Sequence, residues 1–253
     1  VNLEILNSVT KYPSIETYHV LGEKGRLTDK VTPFTGEVFG YEKVDGTNGR
    51  IVLLPGGDYF IGSREELLHA KGDRVVPSTG VSHDIVTELR PVAESLCQIS
   101  ELSPELGVVA VYLEVYGSKI GGQAKQYTGS GSRGHRMFDV LTEGTQPFEW
   151  DRETISRWRE NGGQTFLSVE QLDDVSRLTG IPRVPHLCTV MGYEMPETHF
   201  GTHRFLSNTL PQTRVALDEK GHGSPEGIVF RSADRSVIRK ARFADYRRTM
   251  NIG

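Results

Sequence analysis

The longest apolar run in the chain is the six residues 108-VVAVYL-113, inside 107-GVVAVYLEVYG-117. A membrane-crossing helix needs about 20 apolar residues, so none is expected. The run is rich in β-branched and aromatic side chains and is apolar on both faces, which predicts a central strand. Shorter runs of the same kind predict further strands at 37-EVFGYEKV-44, 49-GRIVLL-54, 59-YFIGSR-64, 135-HRMFDVL-141, 227-GIVFRS-232 and 236-SVIRKARF-243. The turn 55-PGGD-58 joins two of them as a hairpin, and Ala233-Asp234 joins the last two. Helical spacing of Ile85, Leu89, Val92, Leu96 and Ile99 predicts a helix over 83–99, which Pro91 should kink or split. Helices are also predicted at 151–161 and 168–180, the second opening with Ser168 and Gln171 at capping-box spacing and stopping on Gly180. A short helix follows residue 243. The first forty residues mix turn signals (Gly22, Gly25, Pro33, Gly36) with short apolar patches. No repeat, low-complexity block or linker is visible. The expectation is one α+β domain over 1–253, with antiparallel sheets flanked by helices.

At 253 residues, 36% hydrophobic and 25% charged, the chain can bury a sizeable core. A net charge of -4 argues against coating nucleic acid non-specifically. Locally, 231-RSADRSVIRKARFADYRR-248 sets Arg231, Arg235, Arg239, Lys240, Arg242, Arg247 and Arg248 against only Asp234 and Asp245. Such a cluster either follows a phosphate backbone or is a solvated face. Cys97 and Cys188 stand in unrelated contexts and form neither a disulfide framework nor a metal pair, so a reducing, cytoplasmic setting is expected. The N-terminus lacks the basic start and apolar core of a secretory signal.

The stretch 41-YEKVDGTNGR-50 places Lys43 at the mouth of what reads as a double turn, Asp45-Gly46 and Asn48-Gly49. One reading is a surface hairpin with weakly paired charges; the other is a nucleophilic lysine. A free lysine amine titrates near ~10.4, so attack requires burial, nearby cations or a metal to lower the cost of losing its proton. Glu42 and Asp45 favour the ammonium, so the cations must come from a divalent metal or from Lys240 and Arg242. Glu114 shares a strand face with Tyr112 and Tyr116 by alternation, and Lys240 shares one with Arg242. Two acids, Glu114 and Glu226, with a cation pair and a turn lysine, are the parts of a metal–triphosphate site. Singly, each has a plainer reading as an edge acid, a turn acid or a solvated strand face.

Their order resembles that of the covalent nucleotidyltransferases, the superfamily of polynucleotide ligases and mRNA capping enzymes. Lys43-Val44-Asp45-Gly46 matches the K-x-D-G nucleophile motif. Glu114 with Gly117 resembles E-x-x-G, Phe138-Asp139-Val140 resembles F-D-[IV], Glu226-Gly227-Ile228-Val229 resembles E-G-[IV]-V, and Lys240-Ala241-Arg242 resembles K-x-K. Ser63-Arg64 resembles the ligase segment whose arginine contacts the nucleotide sugar and substrate phosphate. The opening EKVDGTN is most similar to ATP-dependent RNA ligases of the phage-type RNA ligase 2 branch. Residues 1–36 and 145–215 match only loosely.

The resemblance implies an ATP-grasp-like ligase adenylation domain. Lys43 would attack the α-phosphate of ATP, release pyrophosphate and carry AMP, which passes to an RNA 5′-phosphate before a 3′-hydroxyl displaces it. Glu42, Asp45 and Asn48 would lie against the nucleotide. Phe138 would stack on adenine, a place for which Met137 competes. Arg64 and Glu114 would hold the ribose, and Glu226 with Glu114 would organise Mg²⁺ or Mn²⁺. Lys240 and Arg242 would grip the α-phosphate and the leaving pyrophosphate, where fixed cations stabilise building charge.

Two departures stand out. Arg242 replaces the usual lysine and cannot serve as a general acid at ordinary pH. The sequence ends eleven residues after Arg242, so neither an oligonucleotide-binding barrel nor a helical domain is expected there. Rival readings are an RNA-end adenylyltransferase that needs a protein partner for sealing, a DNA ligase-like or capping enzyme, and a non-catalytic nucleic-acid-binding relative. The last should have lost Lys43 or Glu226, and both are present. His69, His135, Cys97, Cys188, Trp150 and Trp158 read as structural.

Overall fold

The computed structural model describes residues 2–74, 80–221 and 223–252. Its strands are β1 His19–Leu21, β2 Leu27–Val31, β3 Glu37–Lys43, β4 Thr47–Leu53, β5 Tyr59–Ser63, β6 Leu67–Ala70, β7 Asp73–Arg74, β8 Val108–Gly117, β9 Arg133–Glu143, β10 His186–Met191, β11 Gly227–Ser232 and β12 Ile238–Arg242. The helices are α1 Leu3–Val9, α2 Val81–Leu96, α3 Ala124–Tyr127, α4 Arg152–Glu160, α5 Val169–Thr179, α6 His199–Thr209 and α7 Phe243–Met250. Among the described residues three sheets form, in the orders β1-β2, β10-β3-β11-β12 and β7-β6-β5-β4-β8-β9. All their ladders are antiparallel. The fold is therefore the α+β class the strand patterns predict. No helix among the described residues is long and apolar enough to cross a membrane.

The central strand is where the sequence puts it: β8 pairs with β4 on one side and β9 on the other. Its Val109, Val111, Leu113 and Val115 enter one core with Ile85, Leu89 and Leu96 of α2 and Leu172 and Val175 of α5. Each such side chain contributes roughly 1.5–3 kcal/mol by leaving water. The four-stranded sheet has its own core, where Val38, Ile228, Phe230 and Ala241 meet Leu206 of α6 and Phe243 and Tyr246 of α7.

The ends of α5 follow the sequence: Ser168 and Gln171 close a capping box, and Gly180 takes the left-handed conformation at φ 70°. Trp158 of α4 packs edge to face against Trp150.

Two expectations fail. Pro91 does not split α2, which runs unbroken across it. Pro91 and Thr87 lie on the exposed face, so the carbonyl that loses its i+4 donor meets water while the core face stays intact. Asn48-Gly49 is not a turn but lies inside β4. Gly49 is there for clearance: a Cβ would fall 2.6 Å from Leu89 Cδ1 of α2. Cys97 and Cys188 are free and half-buried.

Candidate active site

The segment 44–46 links two sheets, because β3 belongs to the four-stranded sheet and β4 to the six-stranded one. Lys43, the last residue of β3, therefore stands where the sheets face each other. Register fixes its neighbours: Gly227 pairs with Lys43 on one side and Arg242 on the other, and Val229 likewise lies between Tyr41 and Lys240. The period of two then puts Tyr41, Lys43, Val229, Arg231, Ile238, Lys240 and Arg242 on one face. All seven line a cavity of about 420 Å³, a volume suited to a small-molecule ligand. The opposite wall comes from the six-stranded sheet, where Asn48 pairs with Glu114 across β4 and β8. Asn48, Arg64, Glu114 and Phe138 line the cavity from that side.

Lys43 Nζ donates to Glu226 Oε2 at 2.6 Å, with both side chains largely buried. The acids beside it in sequence are not its partners. Glu42 is buried; its Oε1 accepts from Thr213 Oγ1 at 2.5 Å and its Oε2 from the Arg214 amide at 2.8 Å. Asp45 Oδ2 accepts from the Gln123 amide at 2.7 Å. The expected crowding of Lys43 by Glu42 and Asp45 is thus replaced by a partner 183 residues away.

Glu114 accepts from the Gly46 amide at 3.0 Å and so holds the end of the turn. Burial pushes the Glu114 carboxyl up to about 7, against the opposing charge of Lys43. Burial likewise raises Glu226. Lys240 is pushed down by burial, then by the cations Arg242 and Lys43. Arg242 is raised, chiefly by its hydrogen bonds to Asp245.

Of the residues the motifs single out, Lys43, Glu42, Asn48, Arg64, Glu114, Phe138, Lys240 and Arg242 line the cavity. Glu226 joins them through Lys43, whereas Asp45 turns toward residue 123. Asn48 Oδ1 is buried with no hydrogen-bond partner among the described residues, an acceptor in the cavity wall that lacks a donor. Arg64 Nη2 donates to Ser14 Oγ at 3.0 Å. Phe138 is the extra residue of a bulge, since Met137 pairs with Leu113 and Asp139 with Tyr112. A bulge re-aims side chains: Met137 is fully buried in the α2 core, and Phe138 lines the cavity. Among the described residues no group of three or more His, Cys, Asp or Glu gathers as a metal site.

The motifs place neither Tyr12, Tyr41 nor Arg231 in the nucleotide site. Tyr12 lines the cavity with its ring edge-on to Phe138, the centroids 5.0 Å apart. Its hydroxyl donates to the buried Asp139 at 2.8 Å. Alternation along β11 from Val229 could have found Arg231. Nothing in the loosely matching N-terminal residues marks Tyr12.

The basic run 231–248 is largely neutralised inside the protein. Arg231 and Arg235 pair with Asp139, Arg239 with Glu16, and Arg242 and Arg248 with Asp245.

A family model described as RNA ligase matches residues 36–247. No curated protein matches the chain. Among solved structures, a Naegleria gruberi RNA ligase with pyrophosphate is similar at TM-score 0.59 and 13% identity, over 96% of this chain and 58% of that one. A point mutant of that ligase with ATP and manganese gives 0.58 and 14%, over 94% and 57%. Another with AMP and manganese gives 0.54 and 14%, over 93% and 62%. The chain thus spans less than two thirds of these ligases, and at such identity the likeness is one of fold.

Proposed function

The chain belongs to the RNA ligase family, and from that premise we propose that it is an ATP-dependent RNA ligase working through a lysyl-AMP intermediate, of the phage-type RNA ligase 2 branch that EKVDGTN resembles. The observation that carries the reading is the placement of Lys43. Its amine sits in the wall of a nucleotide-sized cavity, bonded to Glu226, with Lys240 and Arg242 on the same sheet face and Glu114 opposite.

In this reading Lys43 loses a proton along its hydrogen bond to Glu226, and its lone pair attacks the α-phosphorus of ATP. A P–N bond forms, the α–β P–O bond breaks, and pyrophosphate leaves with the electron pair. Lys240 and Arg242 stabilise the charge that builds on the phosphoryl oxygens. Phe138 and Tyr12 give the base an aromatic wall, and Asn48 Oδ1 offers an acceptor to a nucleotide hydroxyl or amino group. Two carboxylates suit magnesium or manganese, which commonly completes its shell with waters and substrate phosphates. Held by Glu114 and Glu226, such a cation would screen phosphate charge and lower the cost of proton loss at Lys43. AMP then moves to an RNA 5′-phosphate, and a 3′-hydroxyl displaces it to seal the strand.

The test is incubation with α-labelled ATP and magnesium or manganese, followed by a denaturing gel, for wild type and Lys43→Ala. Label should stay on wild type and be absent from the variant; an unlabelled wild type sinks the reading. Adding 5′-phosphorylated RNA then separates full ligation from adenylylation that stops at the RNA end and leaves sealing to a protein partner.

A further inference from the structure

The segment 118-SKIGGQAKQYTGSGSRG-134 contains Lys119, Lys125 and Arg133 and no acidic residue. It leaves β8 just beyond Glu114 and wraps the turn that carries Lys43. The Gln123 amide donates to Asp45 Oδ2 and the Asp45 amide to Tyr127 Oη, each at 2.7 Å. A Cβ on Gly121 would fall 2.8 Å from the Asp45 carbonyl oxygen. The segment is therefore fastened to the nucleophile turn.

Its outer surface is cationic and open. Lys119 and Lys125 are exposed, as are Gly129, Ser130, Gly131 and Ser132. Lys220, also exposed, sits over Gly129, where a Cβ would come within 2.5 Å of Lys220 Cβ. Among the described residues none of these three lysines holds an ion pair, unlike Arg231, Arg235, Arg239, Arg242 and Arg248. Arg133 differs, being paired with Asp84. Among the described residues the acids bonded to this segment are Asp45, Asp84 and Asp218. Asp218 is turned into the loop, accepting from Thr128 Oγ1 and from the Gly129 and Ser130 amides, which hold its carboxyl well below the usual range. Free lysines beside small residues suit a phosphodiester backbone, which needs charge and close approach more than shape.

We propose that residues 118–134, together with Lys220, form the surface that docks the RNA backbone beside Lys43 when the 5′-phosphate end receives AMP. The proposal rests on the ligase reading and adds where the RNA lies.

The experiment compares wild type, the triple variant K119A/K125A/K220A and a control, K24A/K30A, whose exposed lysines lie on the β1–β2 hairpin. Each is measured for self-labelling with ATP, for AMP transfer to a 5′-phosphorylated single-stranded RNA, and for RNA affinity against salt. The triple variant should self-label within about twofold of wild type. Its RNA affinity should fall about tenfold or more, and its salt slope should shrink by about 2, at ~0.7 per lost contact. The control should keep both. Unchanged affinity and slope in the triple variant, or an equal loss in the control, overturns the proposal. A wild type that takes no label defeats the ligase reading instead, and the salt slopes still decide whether this surface binds RNA.

Discussion

Asp245, buried in the first turn of α7, accepts hydrogen bonds from both Nε and Nη2 of Arg242, at 2.7 and 3.0 Å. The residue that stands where the family pattern has its second lysine is thus held by a planar fork that lysine cannot make. Asp245→Asn should raise the ATP concentration needed for half-maximal labelling about tenfold, because it releases the guanidinium from its fixed place in the cavity wall. In an Arg242→Lys background the same change should cost less, since the ammonium does not use the fork. The double-mutant cycle should show coupling of about 1–2 kcal/mol. Asp245 also pairs with Arg248, so a role in stability alone would give equal losses in both backgrounds.

Glu114 sets a pH dependence of stability. Its carboxyl is raised to about 7 in the fold, against about 4.3 in an unfolded chain. Between those values the folded state binds more protons, so stability falls as pH rises through the window. Burial raises Glu226 and Glu42 too, which gives the same sign. Urea midpoints should therefore drop from pH 5 to pH 8, with Glu114 contributing up to about 3 kcal/mol. Glu114→Gln keeps the acceptor for the Gly46 amide and should flatten the profile. Manganese with ATP should raise the Tm more at pH 8 than at pH 5 if these carboxylates hold the metal as proposed, because metal and proton then compete for them. A wild-type profile identical to that of Glu114→Gln would contradict this account.

Asp139 is buried with Arg231 and Arg235, and Tyr12 bonds both Asp139 and Arg235. Removing the carboxylate leaves two buried guanidinium groups without their counter-charge. Asp139→Ala should cost about 3–5 kcal/mol, read as a lower urea midpoint. It should also weaken ATP binding, because Tyr12 supports Phe138 in the cavity wall. A loss below about 1 kcal/mol would show that the network is not what holds this wall.

The strands were legible because β-branched runs such as 108-VVAVYL-113 carry their own signal, and capped helices such as α5 announce both ends. Motif order groups Lys43, Glu114, Lys240 and Arg242, and all four line one cavity. What stayed hidden depends on contacts distant in sequence. The pairing of Lys43 with Glu226 rather than Glu42 follows from the β3–β11 register, which no local pattern encodes. Asn48-Gly49 reads as a turn because the dipeptide favours one, yet α2 packing claims Gly49 for a strand. The arginines of 231–248 look like a free basic surface until Asp139 and Asp245 are folded against them. Helix α1 and the β1–β2 hairpin lie where apolar patches are too short to show a period.

Gly46 has a backbone role that its turn propensity does not reveal. Its amide donates to Glu114 Oε1, and a Cβ added to it would fall 2.2 Å from the Val115 carbonyl oxygen and 2.9 Å from Tyr116 Cβ. Both obstacles belong to the central strand, which is paired on each side and cannot give way cheaply. Gly46→Ala must therefore push the turn off β8, moving Lys43 away from Lys240 and Arg242 on β12. Misplacing a reacting group by about 1 Å can cost 10²-fold. Self-labelling should accordingly fall about 100-fold, with a modest drop in Tm. Gly144→Ala is the control, since a Cβ there has nothing within 4 Å and no positive φ to relieve. It should label at the wild-type rate. Normal labelling by Gly46→Ala would mean that the close approach of turn and strand does not set the position of the nucleophile.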